Sequence, residues 1–282
     1  MNAAQTRALP AQAPETYDIF VDECGTLGSD QDDDPFGIGY FIAERTDAAS
    51  ALAEAIQAAF PKPFRLGDRR RKVEDAERIV GLVPKDASFF AGAVAFPDPE
   101  HPGNGLGDII AQRYPGLSAG LLEDPANNAA RRDETGRLLF CYEAALRLPL
   151  TALLDVLSTP RRIEICLHVG LPRRPQQHPG ERNAIAGELA KLGPSFDRYI
   201  VAGLVPRFQA HVEIVIDDGS HPLHGIAELC AGVGWHLMKE TPDASGLVSA
   251  TQGLFARGAL RDRDELVRGV TVLQPSPRDV GL

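Results

Sequence analysis

The sequence predicts an α/β fold, a mixed sheet with helices packed on its faces. Three observations carry this reading. The chain opens with two strand-like runs joined through a turn-rich stretch, the pattern of a hairpin. Later β-type runs alternate with helical periodicity, the pattern of parallel additions to a sheet. The clearest late run, His211–Asp217, sets Val212, Ile214 and Ile216 on one face with period two.

Taken in order, residues 1–15 are rich in Ala, Gln and Pro and read as a disordered lead-in. The first strand is expected over Tyr17–Asp22, ended by Gly25. Asp30 and Asp32–Asp34 decorate the hairpin loop before a second strand over Gly37–Glu44. Asp47 is placed to cap a helix whose Leu52, Ile56 and Phe60 recur at i, i+4 and i+8. A helix near Val73–Val83 and a strand over Ser88–Phe96 follow. Prolines and glycines with few periodic apolar positions make 97–130 an insertion. A long helix is expected over 133–158, with Leu146, Leu150, Leu153 and Leu157 on one face and Pro149 as a kink. Arg162–Val169 reads as a strand. A proline-rich loop then surrounds a short helix bearing Ile185, Leu189 and Leu192, and 196–205 is a helix or an irregular segment. After His211–Asp217 comes a helix over 224–239. The last forty residues hold a helix over 262–268 and a strand over 269–273, before a tail at 274–282. The whole of 16–273 is expected to form one domain.

Composition narrows the function. At 282 residues the chain buries enough surface to fold without staples. No apolar run approaches the roughly 20 residues of a membrane-spanning helix, and no secretory signal opens the chain. A cytoplasmic protein without a membrane partner is therefore expected. The four cysteines are scattered, with no CxxC pair, and read as free thiols. A net charge of −10 argues against indiscriminate nucleic-acid binding, but it leaves room for a local basic groove. Short basic clusters at 69–72, 131–132, 161–162 and 173–174 are solvated faces or phosphate grips.

Three acidic features can carry chemistry. The first strand ends in Asp22-Glu23-Cys24-Gly25, and adjacent strand residues point to opposite faces, so at most one of the two acids faces a given site. The late strand ends in Asp217-Asp218, which is also good turn chemistry. The next helix reads Gly225-Ile226-Ala227-Glu228-Leu229-Cys230-Ala231-Gly232-Val233-Gly234-Trp235, and Glu228 is its only charge. A segment apolar on nearly every side is buried. A carboxylate within it needs a cation, an arginine or hydrogen-bond donors, because burial without compensation costs several kcal/mol.

Asp22-Glu23-Cys24-Gly25 resembles the Asp-Glu-Ser-Gly signature of the family called domain of unknown function 3800. Ile226-Ala227-Glu228-Leu229-Cys230-Ala231-Gly232 is similar to that family's late helix, with Asp217 or Asp218 at the matching distance upstream. Cys24 stands for the usual serine, Glu228 for the usual aspartate and Gly225 for the usual glutamine. The resemblance spans roughly 17–240, with its specific residues at the two ends. It implies a ribonuclease H-like fold that brings the first strand and the late helix together. Asp22, Asp217 or Asp218, and Glu228 would then hold one or two Mg²⁺ or Mn²⁺ ions and hydrolyse phosphodiester bonds of DNA or RNA. On the middle strand His168 stands where an acid is sought. It is a metal ligand without negative charge. Lys72 and Arg71 are placed to hold a substrate backbone. The alternative is an inactive module of the same fold that binds nucleic acid or a partner protein without cutting.

Other patterns carry less. Gly103, Gly105 and Gly107 lack the dinucleotide-binding spacing. His221 and His224 read as a polar loop with an option on a metal site, and Cys24 as a nucleophile has no assigned base. Trp235 reads as core.

Overall fold

The strand that begins the chain also organises the sheet. In the computed structural model the described residues are 14–25, 35–85, 89–96, most of 139–153, 157, 162–171, 179–194, 196, 209–255, 266–267 and 270–272. β1 (Glu15–Cys24) pairs antiparallel with β2 (Phe36–Glu44), from Tyr17 opposite Glu44 to Cys24 opposite Gly37. β3 (Phe89–Phe96) continues antiparallel to β2. On the other side of β1 lie β4 (Arg162–Gly170) and β5 (Gln209–Asp217), each parallel to its inner neighbour. Two short strands, β6 (Leu266–Val267) and β7 (Val270–Val272), complete the order β5-β4-β1-β2-β3-β7-β6. The first hairpin and the later parallel additions agree with the mixed sheet expected from the sequence.

Period two sorts β1 between two cores. Tyr17, Ile19 and Val21 pack with Leu139, Tyr142, Leu146 and the alternate residues of β4. That face also receives α3 (Pro179–Ala190) through Ile185 and Leu189. Phe20 faces the opposite way. There it meets α1 (Asp47–Ala59), α2 (Lys72–Leu82), α4 (His224–Met238) and α5 (Ala244–Phe255).

α4 reaches the sheet by backbone contact. A Cβ at Gly39 of β2 would stand 2.0 Å from the Ala227 carbonyl oxygen, and one at Gly37 would stand 2.5 Å from that of Ala231. Glycine in a strand here serves close approach of another backbone. At these two positions the helix is seated at a depth no side chain would allow.

Several expectations change. The residue before α1 is Thr46, in extended conformation with no side-chain capping bond; Asp47 lies inside the first turn, where its charge suits the helix dipole. α5 was not expected, because Gly246, Gly253 and several polar residues blur its period. Tertiary packing of Leu247, Leu254 and Phe255 overrides that weak propensity. Within the helix expected over 262–268, Leu266–Val267 is strand instead, paired with β7 as a sheet edge. Residues 1–13, the aspartates at 30 and 32–34, the 97–130 insertion, 197–205 and the 274–282 tail lie outside the described residues. Among the described residues no helix is long and apolar enough to cross a membrane.

Candidate functional site

The pleat of β1 separates its two terminal acids. Glu23 turns to the face of Tyr142, whose hydroxyl donates to its carboxylate at 2.9 Å. Asp22 turns to the face of α4 and is 0% exposed. Its Oδ1 accepts the Glu23 N–H at 2.9 Å, and its Oδ2 pairs with Nη1 of Arg65.

Glu228, in the second turn of α4, comes to the same guanidinium. Arg65 Nη1 lies 3.2 Å from Glu228 Oε2, while the Leu66 N–H donates to Glu228 Oε1 at 3.0 Å. Asp22 and Glu228 therefore share one cation, whose side chain is 26% exposed. Burial pushes the Asp22 carboxyl well above the usual carboxylate range, and the neighbouring Glu228 charge adds to it. Burial also raises Glu228, against the pull of Arg65. One guanidinium is too little positive charge for two buried carboxylates.

Asp217 lies on the same side, at the end of β5, but Asp22, Asp217 and Glu228 do not bring one carboxylate oxygen each within 4.8 Å of one another. The register sets Val21 beside Val169 and Gly170 beside Asp217, so the next rung carries Asp22, Gly170 and Asp217 across three parallel strands. Partners in one rung share a face. Gly170 leaves the middle of that rung open for the ring of His224, which a Cβ at Gly170 would approach to 3.2 Å. His224 is buried at the start of α4, with Nε2 3.0 Å from Asp217 Oδ2. Its Nδ1 has no hydrogen-bond partner among the described residues. Asp217 Oδ1 accepts the Gly219 N–H at 2.7 Å. Gly219 has φ of +70°, and a Cβ there would stand 2.7 Å from Arg65 Nη2 and 3.5 Å from Asp22 Oδ2. The turn thus folds onto the acidic pair. Asp218 is exposed and accepts the Ser220 N–H at 3.0 Å, a turn role, so Asp217 is the member of that dipeptide facing the site.

His168 lies two rungs back, on the same face, and belongs to a different group. Its Nε2 is 3.1 Å from Asp18 Oδ1, its Nδ1 is 4.0 Å from Asp217 Oδ2, and its ring stacks on Phe20 at 4.7 Å. Asp18 also accepts Nε and Nη2 of Arg45, at 3.0 and 2.5 Å. Ligating atoms of Asp18, Cys166 and His168 lie within 4.8 Å of one another.

The basic residues beside the acidic pair are not those expected. Arg71 is exposed and pairs with Glu74 at 3.2 Å, and Lys72 opens α2. A cleft of about 480 Å³ borders Arg65, and Phe60, Lys62, Arg69, Asp75 and Arg78 help to line it. The Arg69 guanidinium lies 5.2 Å from the Phe60 ring and 5.0 Å from that of Phe64; Arg78 lies 5.1 Å from Phe60. Four cations against one acid make this a positive cleft on an acidic protein. Arg69 belongs to the basic cluster at 69–72, whereas Arg65, Arg78 and Asp18 escaped the sequence reading. Asp18 had a usable signal, since a residue four before Asp22 on a strand shares its face; Arg65, in a coil, had none.

The chain matches no model of a known protein family and no curated protein.

Proposed function

We propose that this chain is a metal-dependent phosphodiesterase of ribonuclease H-like fold, acting on DNA or RNA through Asp22, Glu228 and Asp217. One observation carries the reading: Asp22 of the first strand and Glu228 of the late helix meet at a single guanidinium, that of Arg65, which also borders a cleft lined by Lys62, Arg69 and Arg78. The hairpin-first sheet, with β1 central among the long strands and β4 and β5 added in parallel, supports the fold assignment. It also sets the acids at the carboxyl ends of parallel strands, where open α/β sheets present their ligand sites.

The donor set suits Mg²⁺ or Mn²⁺. Asp22, Glu228 and Asp217 offer hard carboxylate oxygens, and the first two already require a shared cation. When bound, such an ion activates water and stabilises the leaving oxygen of a phosphodiester. The chain's own residues do the rest. His224 orients the Asp217 carboxylate, and the Gly219 turn keeps bulk away from Asp22. Lys62, Arg69 and Arg78, with Arg65 at the cleft's border, would grip phosphates.

The contact of Arg65 with both acids favours a second reading, a module that binds nucleic acid without cutting, its acidic pair neutralised from within. Calorimetry with Mn²⁺ or Mg²⁺ separates the two. Wild type is expected to take up the ion, with binding lost in both Asp22→Asn and Glu228→Gln. Failure of wild type to bind either ion at millimolar concentration would remove the hydrolytic reading and leave the binding module.

A further inference from the structure

A second set of ligating side chains lies on the same sheet face as Asp22, one stretch of β1 earlier. Asp18 is the register partner of Cys166 on β4, and His168 is the next β4 residue on that face. Their carboxylate oxygen, sulfur and imidazole nitrogen lie within 4.8 Å of one another. Sulfur and nitrogen donors turn a site away from Mg²⁺ and towards Zn²⁺, which takes Cys, His and Asp ligands in tetrahedral sites.

The surroundings suit an ion. The helices on this face pack over β1, β2 and β3. The Asp18 and His168 side chains keep 15% and 21% exposure, so an ion and a water can reach them. Phe20 holds the His168 ring by stacking at 4.7 Å, and Asp217 Oδ2 stands 4.0 Å from its second nitrogen. At 4.0 Å that oxygen is beyond hydrogen-bond reach and is engaged by His224 Nε2 at 3.0 Å, so the Phe20 stacking is what orients the ring.

Arg45 is the competitor. It donates Nη2 to Asp18 Oδ1, the oxygen facing His168, and Nε to Oδ2. An ion on Oδ1 displaces the first contact and leaves the second. With 55% of its side chain exposed, Arg45 can turn out into solvent as an ion takes its place.

We propose that Asp18, Cys166 and His168 form a Zn²⁺ site whose fourth position is open to solvent. Asp18 lies four strand residues, about 13 Å, from Asp22. The Zn²⁺ site needs neither Asp22 nor Glu228, although Asp217 stands between the two groups, 4.0 Å from His168 Nδ1. Binding releases the Cys166 proton and any proton on His168, so affinity rises with pH.

The test is a Co²⁺ titration of the reduced full chain, followed by competition with Zn²⁺. A near-ultraviolet sulfur-to-cobalt band and tetrahedral visible bands are expected at one ion per chain, both removed by Zn²⁺. Cys166→Ser is expected to abolish the near-ultraviolet band and weaken Zn²⁺ by more than the roughly 100-fold that loss of an outer partner costs. Arg45→Ala, at an exposed position, is expected to tighten Zn²⁺ several-fold. Asp22→Asn and Glu228→Gln are expected to leave the cobalt spectrum unchanged while removing Mn²⁺ uptake. The proposal fails if wild type shows no thiolate band, if the band survives Cys166→Ser, or if Arg45→Ala weakens binding.

Discussion

Asp18 and Asp22 stand on one face of one strand, yet their carboxyls move in opposite directions. Burial raises both. At Asp18 it is outweighed by hydrogen bonds from His168 and Arg45, which hold the carboxyl at about 2. At Asp22 it is reinforced by Glu228, and Arg65 does not make up the difference. The contrast is one of charge per site. Asp18 is a single carboxylate between two cationic partners, whereas Asp22 and Glu228 divide one. On the proposed reading an added hard cation would be drawn to the second site, where positive charge is short. At the first, an ion must displace protons and one arginine contact, which only softer ligand chemistry repays.

The largest expected effect comes from moving the helix that makes the second site. Gly39→Ala forces a Cβ into the Ala227 carbonyl oxygen, a backbone atom that cannot rotate away. Overpacking of this kind is expected to cost about 3 kcal/mol or more in urea unfolding. It should also reduce Mn²⁺ uptake while leaving the Cys166 thiolate band. Loss of both together would mean that the two sites are not separately built.

Removing the shared cation comes next. Arg65→Ala leaves two buried carboxylates without a cation, a change expected to cost about 2–3 kcal/mol at pH 8 after allowance for the arginine's partial exposure. Because both carboxyls are raised, protonation compensates for the lost cation, so the deficit should shrink as pH falls. Mn²⁺ should also rescue the variant. A thermal midpoint that Mn²⁺ does not lift would argue against an ion replacing the guanidinium.

The smallest effect belongs to Asp18. His168 is raised to about 9: burial lowers it, but the bond to Asp18 prevails. Its folded value exceeds its unfolded one, so its stabilisation is complete below about pH 6.5. That contribution is lost as pH rises through about 9. Wild type should therefore lose stability across this window, and His168→Gln should flatten the slope. A His168 NMR titration midpoint near its ordinary value would show that the Asp18 pairing is weaker in solution.

What the sequence determined by itself were features of short range. Alternation placed Asp22 and Glu23 on opposite faces and set Val212, Ile214 and Ile216 on a strand. A helix apolar all round marked Glu228 as an acid in need of compensation. These follow from periods of two and 3.6 residues, which act within one element. The tertiary structure decided the rest. The choice of Asp217 over Asp218 depended on the register between β4 and β5, and the open rung on Gly170 lying between two acids from other strands. Arg65 became the shared cation only because its coil passes under α4, with the Leu66 N–H on Glu228. The four-residue spacing of Asp18 and Asp22 is visible in the chain, but their opposite charge balance is not. Partners in a sheet and across a helix come from residues far apart in sequence, and no local period encodes which of them will meet.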